Sequence, residues 1–371
     1  MFFLATHHVL RKVPEKIRSS NLKKPMDDSR SILLVRASGF GPLPAIFEQR
    51  AGEQALWRVF EQSGLPVDVI GLPQTPVPLP AMISLFERCA HELGDRTFGL
   101  EVGFEMRRAW GYGLWGQYGA TADTLGEAIK RYNQTFWAHA SGGRLELVQS
   151  GTAMLWRHVR RDLGPPAVQH VDHRLGPMII IARLFLGQDW SPEWIEVPYE
   201  RDDDAHLMED RLQVPVRFGC PGAGIVFKPE DLCVQRSRKL EGMSKVITLR
   251  EVIADSILSR APEPARSVSA IAALRLLDGQ TDIEGAAQMA GLSVRSLQRQ
   301  LMEKGYSYRE IVASARSARA VSLLRETQQP IVEIALFLGY EDHASFTRAF
   351  RRWMDCSPLE FRRCHQPTAV A

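Results

Sequence analysis

The chain has 371 residues, 45% of them hydrophobic and 24% charged, with a formal net charge of +3. That length can bury a sizeable core in two or three domains, and the near-balance of charge excludes a uniformly basic nucleic-acid coat. No apolar run approaches the roughly 18 to 20 residues needed to cross a bilayer.

The five cysteines, Cys89, Cys220, Cys233, Cys356 and Cys364, form no C-x-x-C pair or zinc-like array with histidine, and are read as reduced cytoplasmic thiols. Residues 1 to about 25 are basic and lack a core-forming pattern. Met1-Phe2-Phe3-Leu4 precedes His7, His8, Arg11 and Lys12, the reverse order of a secretory signal. A disordered extension is expected there, or a start assigned upstream of Met26. A domain of residues 26–260 should follow.

From about 44 to 140 the pattern is mostly helical, with apolar residues at three and four spacing in Ala55-Leu56-Val59-Phe60 and Met82-Ile83-Leu85-Phe86. The Pro-rich run from Leu72 to Pro80 is read as the separator between these two helices. A third helix should start at a cap-like Thr121 or Asp123, run through Leu125, Ile129, Tyr132 and Phe136, and end at Gly142-Gly143. Arg144 to Gln149 and Ala153 to Arg160 alternate around a Ser-Gly turn, the pattern of a β-hairpin. Val168 to Leu186 reads as a helix, and short strands are expected at Trp194 to Pro198, Val214 to Phe218 and Gly224 to Phe227. Helix and strand in this order predict an α+β domain.

Within it, Trp110, Tyr112, Trp115 and Tyr118 are interleaved with glycines, a composition that suits either plain core or a ring-lined pocket. Together with His158 and His173 they are the candidate effector-pocket residues. His170 and His173 share a helix face with Asp172 between them, but spacing places no third ligand, so no metal is expected. No G-x-S-x-G elbow, H-E-x-x-H, Walker loop or dinucleotide fingerprint after a strand is present, and Asp202-Asp203-Asp204 reads as a solvated cluster. Catalytic residues and cofactors are therefore expected to be none, and an enzymatic domain is the remote alternative.

A charged helical stretch from about Ser237 to Ser259 leads to Ala261-Pro262-Glu263-Pro264-Ala265, read as the linker because its prolines cannot continue a helix. Residues 266–371 read as helix and turn throughout. A block there occurs twice, 48 residues apart: Ala287-Gln288-Met289-Ala290-Gly291 with Ser296 to Leu301, then Ala335-Leu336-Phe337-Leu338-Gly339 with Ser345 to Phe350. Each copy has the small residue, the glycine and the apolar pair that a helix-turn-helix requires. Leu297, Leu301, Phe346 and Phe350 are assigned to core. Arg295, Gln298 and Arg299, on a helix capped by Ser293, point outward as candidate base contacts. So do His343, Thr347 and Arg348, on a helix capped by Glu341 or Asp342. Lys and Arg number fourteen from residue 266 onward against eleven Asp and Glu. Arg351, Arg352, Arg362 and Arg363 are the candidate phosphate contacts. One long helix, Ile311 to Leu324, should hold the two readers about one duplex turn, roughly 34 Å, apart.

Leu292 to Arg299, Gly305-Tyr306-Ser307, Arg316 to Leu324, Ile331 to Gly339, Ser345 to Phe350 and Ser357-Pro358-Leu359-Glu360-Phe361-Arg362 resemble the AraC/XylS family of bacterial transcription regulators. Ser317 and Ala286 stand where that family has larger apolar residues, and Tyr308 replaces a common proline. The resemblance implies a monomeric seven-helix DNA-binding unit that activates a nearby promoter and contacts RNA polymerase. Its base-reading positions fall on the six outward residues already named. Gly111-Tyr112-Gly113-Leu114-Trp115-Gly116 through Leu125-Gly126-Glu127-Ala128, with the hairpin and the Val168 helix, resembles the arabinose-binding-like domain of ornithine-utilisation and virulence regulators of this family. That implies an unidentified small-molecule effector and a homodimer. The alternative is a ligand-independent dimeric regulator or repressor.

Overall fold

Leu33 to Arg36 are buried one after another, and they form a strand, β1 (Leu34–Arg36), antiparallel to β2 (Pro76–Pro78) with Val35 opposite Val77. The Pro-rich run is thus partly a strand and not only a separator. Proline has no N–H to give a ladder, but a two-stranded pair is all edge and tolerates it. The computed structural model describes residues 32–106, 112–160, 167–236, 247–255 and 262–365. The basic extension, Trp110 and part of the charged stretch after Ser237 lie outside the described residues. The chain divides into two units, one spanning Leu33–Ser259 and the other containing Arg260 onward.

In the first unit, α1 (Leu43–Ala51), α2 (Glu53–Gln62) and α3 (Leu79–Leu93) bury the apolar stripes read from the sequence, with Phe47, Phe60, Met82, Leu85 and Phe86 fully enclosed. Next come α4 (Phe98–Glu105), α5 (Gly113–Ala120) and α6 (Leu125–Thr135). The cap of α6 is Thr124, whose Oγ1 accepts from the Glu127 amide at 3.2 Å. Neither Thr121 nor Asp123 fills that role: the Thr121 hydroxyl donates to the Tyr118 carbonyl, and the Asp123 amide donates to the Glu127 carboxylate. The helix also stops at Thr135, giving way to a short 3-10 turn.

The hairpin β3 (Gly143–Ser150) and β4 (Ala153–Arg160) precedes α7 (Val168–Leu186), β5 (Ile195–Glu196), α8 (Ala205–Leu212), β6 (Val216–Arg217), β7 (Ala223–Phe227) and α9 (Leu249–Ala254). The sheet order is β3-β4-β7-β5-β6, antiparallel except for β5 and β6, whose parallel pairing needs the crossover that α8 provides. Helix α7 is the spine of the unit. It meets α4 backbone to backbone: a Cβ on Gly103 would lie 2.3 Å from the His173 carbonyl oxygen, and one on Gly176 2.2 Å from Gly103. That carbonyl is the one Pro177, which has no N–H, cannot satisfy along the helix. The Glu87 carboxylate accepts from the Gln169 and His170 amides at the start of α7, and burial pushes its pKa up to about 7.

The second unit contains α10 (Ala265–Arg275), α11 (Ile283–Met289), α12 (Val294–Glu303), α13 (Tyr308–Glu326), α14 (Ile331–Phe337), α15 (His343–Met354) and α16 (Pro358–His365), with no strand among the described residues. Helix α13 opens with a capping box, Ser307 with Glu310. Leu276, Leu324, Ile334, Leu338, Phe346, Phe350 and Phe361 form an apolar cluster of this unit. The molecule is therefore an α+β unit joined in sequence to an all-α unit, the class the sequence predicts.

Candidate nucleic-acid interface and internal cavity

Each repeated block folds as a helix, a glycine turn and a second helix. Gly291 and Gly339 take φ of 66° and 73°, the left-handed region that glycine enters without a Cβ penalty. Ala287 and Ala335 are buried at the crossings, 2% and 0% exposed. Leu297 and Leu301 pin α12, and Phe346 and Phe350 pin α15, all at 1% exposure or less. Ser293 caps α12 through Oγ accepting the Ser296 amide at 3.2 Å. Of the two residues proposed for α15, Asp342 is the cap, accepting the Ser345 amide at 2.6 Å.

The outer faces then carry the polar residues. Arg295, Gln298, Arg299, His343 and Arg348 are exposed and Thr347 is half-buried. Their engagement inside the unit is slight: Arg299 reaches Glu303 at 3.9 Å, and Arg348 donates to the Ser345 hydroxyl at 3.0 Å. Arg351, Arg352 and Arg363 are exposed, whereas half-buried Arg362 donates to the Gln329 carbonyl at 2.6 Å.

Two other arginines in this unit behave differently. Arg316 donates to the Leu338 carbonyl at 2.8 Å and the Gly339 carbonyl at 2.9 Å, and stacks on Tyr340. It clamps the turn of the second helix pair. Arg275 holds the first pair in a related way, donating to the Asp282 carboxylate at 2.6 Å and to its carbonyl. Tyr308 adds a 3.0 Å bond to that same carbonyl, which gives the hydroxyl at this position a structural use. Buried charge is thus met by oxygen, as its desolvation requires. Ser317 and Ala286, at 4% and 0% exposure, leave no room for larger side chains without a shift in packing.

The first unit holds a partly open cavity of about 90 Å³ between β3 and β4 on one side and α5, α6 and α7 on the other. Sequence period explains the walls. His170, His173, Arg174, Pro177, Met178 and Ile181 recur at three and four spacing and form one stripe of α7. Gly143 and Leu145 face His158 and Arg160 across the hairpin at two-residue spacing. Aromatic rings close the rest: Trp115 stacks on His139 at 4.5 Å and meets Tyr112, Tyr132 and Phe136 edge-on.

Of the residues singled out in the sequence, Tyr112, Trp115, His158 and His173 line this cavity. Tyr118 does not; its ring lies under the Arg131 guanidinium at 4.9 Å. Asp172 is engaged elsewhere, accepting from Arg96 at 2.9 Å and from the Tyr199 hydroxyl. Sequence reasoning missed Arg174, Arg160, His139, Tyr132 and Trp156. The available signal was Arg174 itself, a cation followed immediately by Leu-Gly-Pro-Met-Ile-Ile-Ile in a helix whose apolar faces go inside. The Arg174 guanidinium reaches Nδ1 of both His158 and His170. Burial and the neighbouring arginines hold all the imidazoles of this wall neutral: His139 and His173 fall to about 3, and His158 and His170 well below the usual histidine range.

Comparison with known proteins separates the same two regions. Residues 55–234 match the family model described as the arabinose-binding domain of AraC transcription regulator, N-terminal, and residues 286–364 match a helix-turn-helix domain. The ornithine utilization regulator of Pseudomonas aeruginosa is 24% identical over 344 residues, spanning 92% of this chain and 99% of that protein. The HTH-type transcriptional regulator VirS of Mycobacterium tuberculosis is 30% identical over 300 residues, 76% of this chain and 84% of its own. Among solved structures, the transcriptional regulator CdpR from Pseudomonas aeruginosa aligns at 23% identity over 83% of this chain and 98% of that one, with a TM-score of 0.37. Among the described residues no helix is long and apolar enough to cross a membrane.

Proposed function

We propose that this chain, which belongs to the AraC family of DNA-binding transcription regulators, reads an extended promoter site with α12 and α15 in successive major grooves of one duplex. The duplicated, glycine-turned helix pair carries this reading, because each copy leaves its polar outer face largely uncommitted while its apolar face is fully buried. Arg295, Gln298 and Arg299 on one reader and His343, Thr347 and Arg348 on the other supply the donor and acceptor types that base edges recognise. Arg351, Arg352 and Arg363 supply phosphate contacts, with Arg362 contributing less because a carbonyl takes part of its donor set.

The first unit is the sensor. Its ring-lined cavity supports binding of a small-molecule effector that biases the regulator between DNA-binding states, which requires different affinity for those states. The protein acts as a homodimeric activator in contact with RNA polymerase, a part of the proposal that rests on family likeness alone.

Genome-wide DNA capture at stated salt tests the reading. A few promoters sharing two short motifs about one helical turn apart are expected; uniform recovery overturns it. Arg299→Ala should weaken the specific site by about 1 to 3 kcal/mol and relax preference at one position. Equal weakening on random DNA would make Arg299 a phosphate contact.

A further inference from the structure

Within the sensor reading, the cavity's chemistry narrows the effector. Among the described lining residues there is no aspartate or glutamate, while two arginines, Arg160 and Arg174, stand on its wall. A guanidinium has five N–H donors. Arg174 has two engaged, both on imidazole nitrogens that accept as neutral groups, so among the described residues its charge meets no carboxylate. Burial and the neighbouring Arg160 lower its pKa to about 9, which leaves it a cation at neutral pH. Arg174 is half-buried, and a cation drawn away from bulk water among neutral described partners is costly unless an anion joins it.

A second, independent observation points the same way. The Trp115 indole N–H, in a residue 8% exposed, and His139 Nδ1, in a residue 6% exposed, are buried on the same wall without a hydrogen-bond partner among the described residues. Indole nitrogen only donates. The wall therefore offers an open indole donor, an unpartnered imidazole nitrogen, a cation, and otherwise rings and aliphatic groups.

We infer that the cavity binds a small monocarboxylate with a short apolar body, its carboxylate on Arg174 and its hydrocarbon part among Tyr112, Trp115, Tyr132 and Phe136. The carboxylate is an acceptor-only anion whose geometry matches a guanidinium fork. An amine or a cationic amino acid does not match, because no described wall residue offers a carboxylate to an ammonium group. A phosphate ester does not match either, since its many acceptors would face a largely apolar wall. The volume, about 90 Å³, is below the roughly 150 Å³ that accommodates benzene, so the part of a ligand that the cavity covers is about three to five carbons.

The test is calorimetric titration of the full-length protein with butyrate, butyramide, n-butylamine and acetate, with fluorescence of the cavity tryptophans as a second readout. Butyrate should bind at least about tenfold more tightly than isosteric butyramide, and butylamine should not bind. Acetate should bind more weakly than butyrate, because it leaves the apolar part unfilled. Arg174→Met should lose butyrate affinity at least about tenfold and keep or improve butyramide affinity. If that variant fails to fold, the acid and amide pair on the unaltered protein still decides. Equal affinity for acid and amide, tighter binding of the amine, or no acid binding at millimolar concentration overturns the inference. The regulator reading is scored separately by promoter capture: loss of acid binding with promoters recovered removes only the ligand class. Acid binding that depends on Arg174 but leaves DNA affinity and transcription unchanged keeps the ligand class and removes the effector role.

Discussion

In the DNA-reading unit buried Arg275 and half-buried Arg316 end on carbonyl and carboxylate oxygens; in the sensor unit half-buried Arg174 ends on two imidazoles. The sensor is not simply looser about charge, because its own Arg96 is paired with buried Asp172 and its Arg36 with Asp255. The difference marks use. Arg275 and Arg316 find their acceptors within the fold, whereas polar groups are left over on the outer faces of α12 and α15 and on the cavity wall.

The largest effect that would break this comparison is on the apolar side of a reader helix. Phe350 is fully buried and packs its ring against Phe346, Trp353 and Phe361. Phe350→Ala should cost about 3 to 5 kcal/mol in denaturant unfolding of the DNA-reading unit. A loss well under that would mean that this face is not core, and the division of α15 into an inner and an outer side would fail.

Acid should separate the units next. The folded sensor keeps His139, His158, His170 and His173 neutral, whereas the unfolded chain protonates them below about pH 6.5. A depressed histidine pKa contributes stability that is present above the unfolded value and lost as pH falls. Glu87 and Asp172 oppose this: raised to about 7 and about 6, they take up protons in the folded state first and so favour it as pH drops. Four imidazoles outweigh two carboxyls, so between about pH 6 and 5 the sensor should lose on the order of 3 kcal/mol per pH unit. In the reader the shifted carboxyls, Asp282, Asp342 and Glu360, are lowered, so their stabilisation is lost only below the usual carboxylate range. Denaturant midpoints of the two units, followed from pH 7 to 5, should diverge. Parallel movement would show that the buried imidazoles take up protons without unfolding the sensor.

Much of this organisation was legible in the sequence where a signal lies within one element. The bounds of α7, the hairpin from Arg144 to Arg160, whose first strand starts one residue earlier at Gly143, the Ser293 cap and the inner and outer residues of both readers follow from period and capping chemistry. The pairing of Leu34–Arg36 with Pro76–Pro78 did not, because proline argues against strand and the partners are far apart in sequence. The cavity was half legible. Its aromatic segment announced Tyr112 and Trp115, but Tyr132, His139, Trp156 and Arg174 come from four further segments whose convergence no periodicity reports. Attention to His170 and His173 as a metal pair also hid the arginine beside them, since a lone cation in a helix reads as solvated until its burial is known.

The smallest effect sharpens the reader side. Ser293 caps α12 at its exposed start, its Oγ bonded to the Ser296 amide and hydroxyl at 3.2 and 2.9 Å. Ser293→Ala should cost about 1 kcal/mol of stability and weaken specific DNA binding with it, because Arg295, Gln298 and Arg299 depend on the set of that helix. Ser293→Asp keeps an acceptor at the cap and complements the helix dipole, so stability should be retained. If α12 enters a groove by its N-terminal end, the same aspartate brings a negative charge to the phosphates, and DNA affinity should fall while stability does not, with the loss greatest at low salt. Unchanged DNA affinity in the aspartate variant would place the start of α12 away from the duplex and leave α15 as the principal reader.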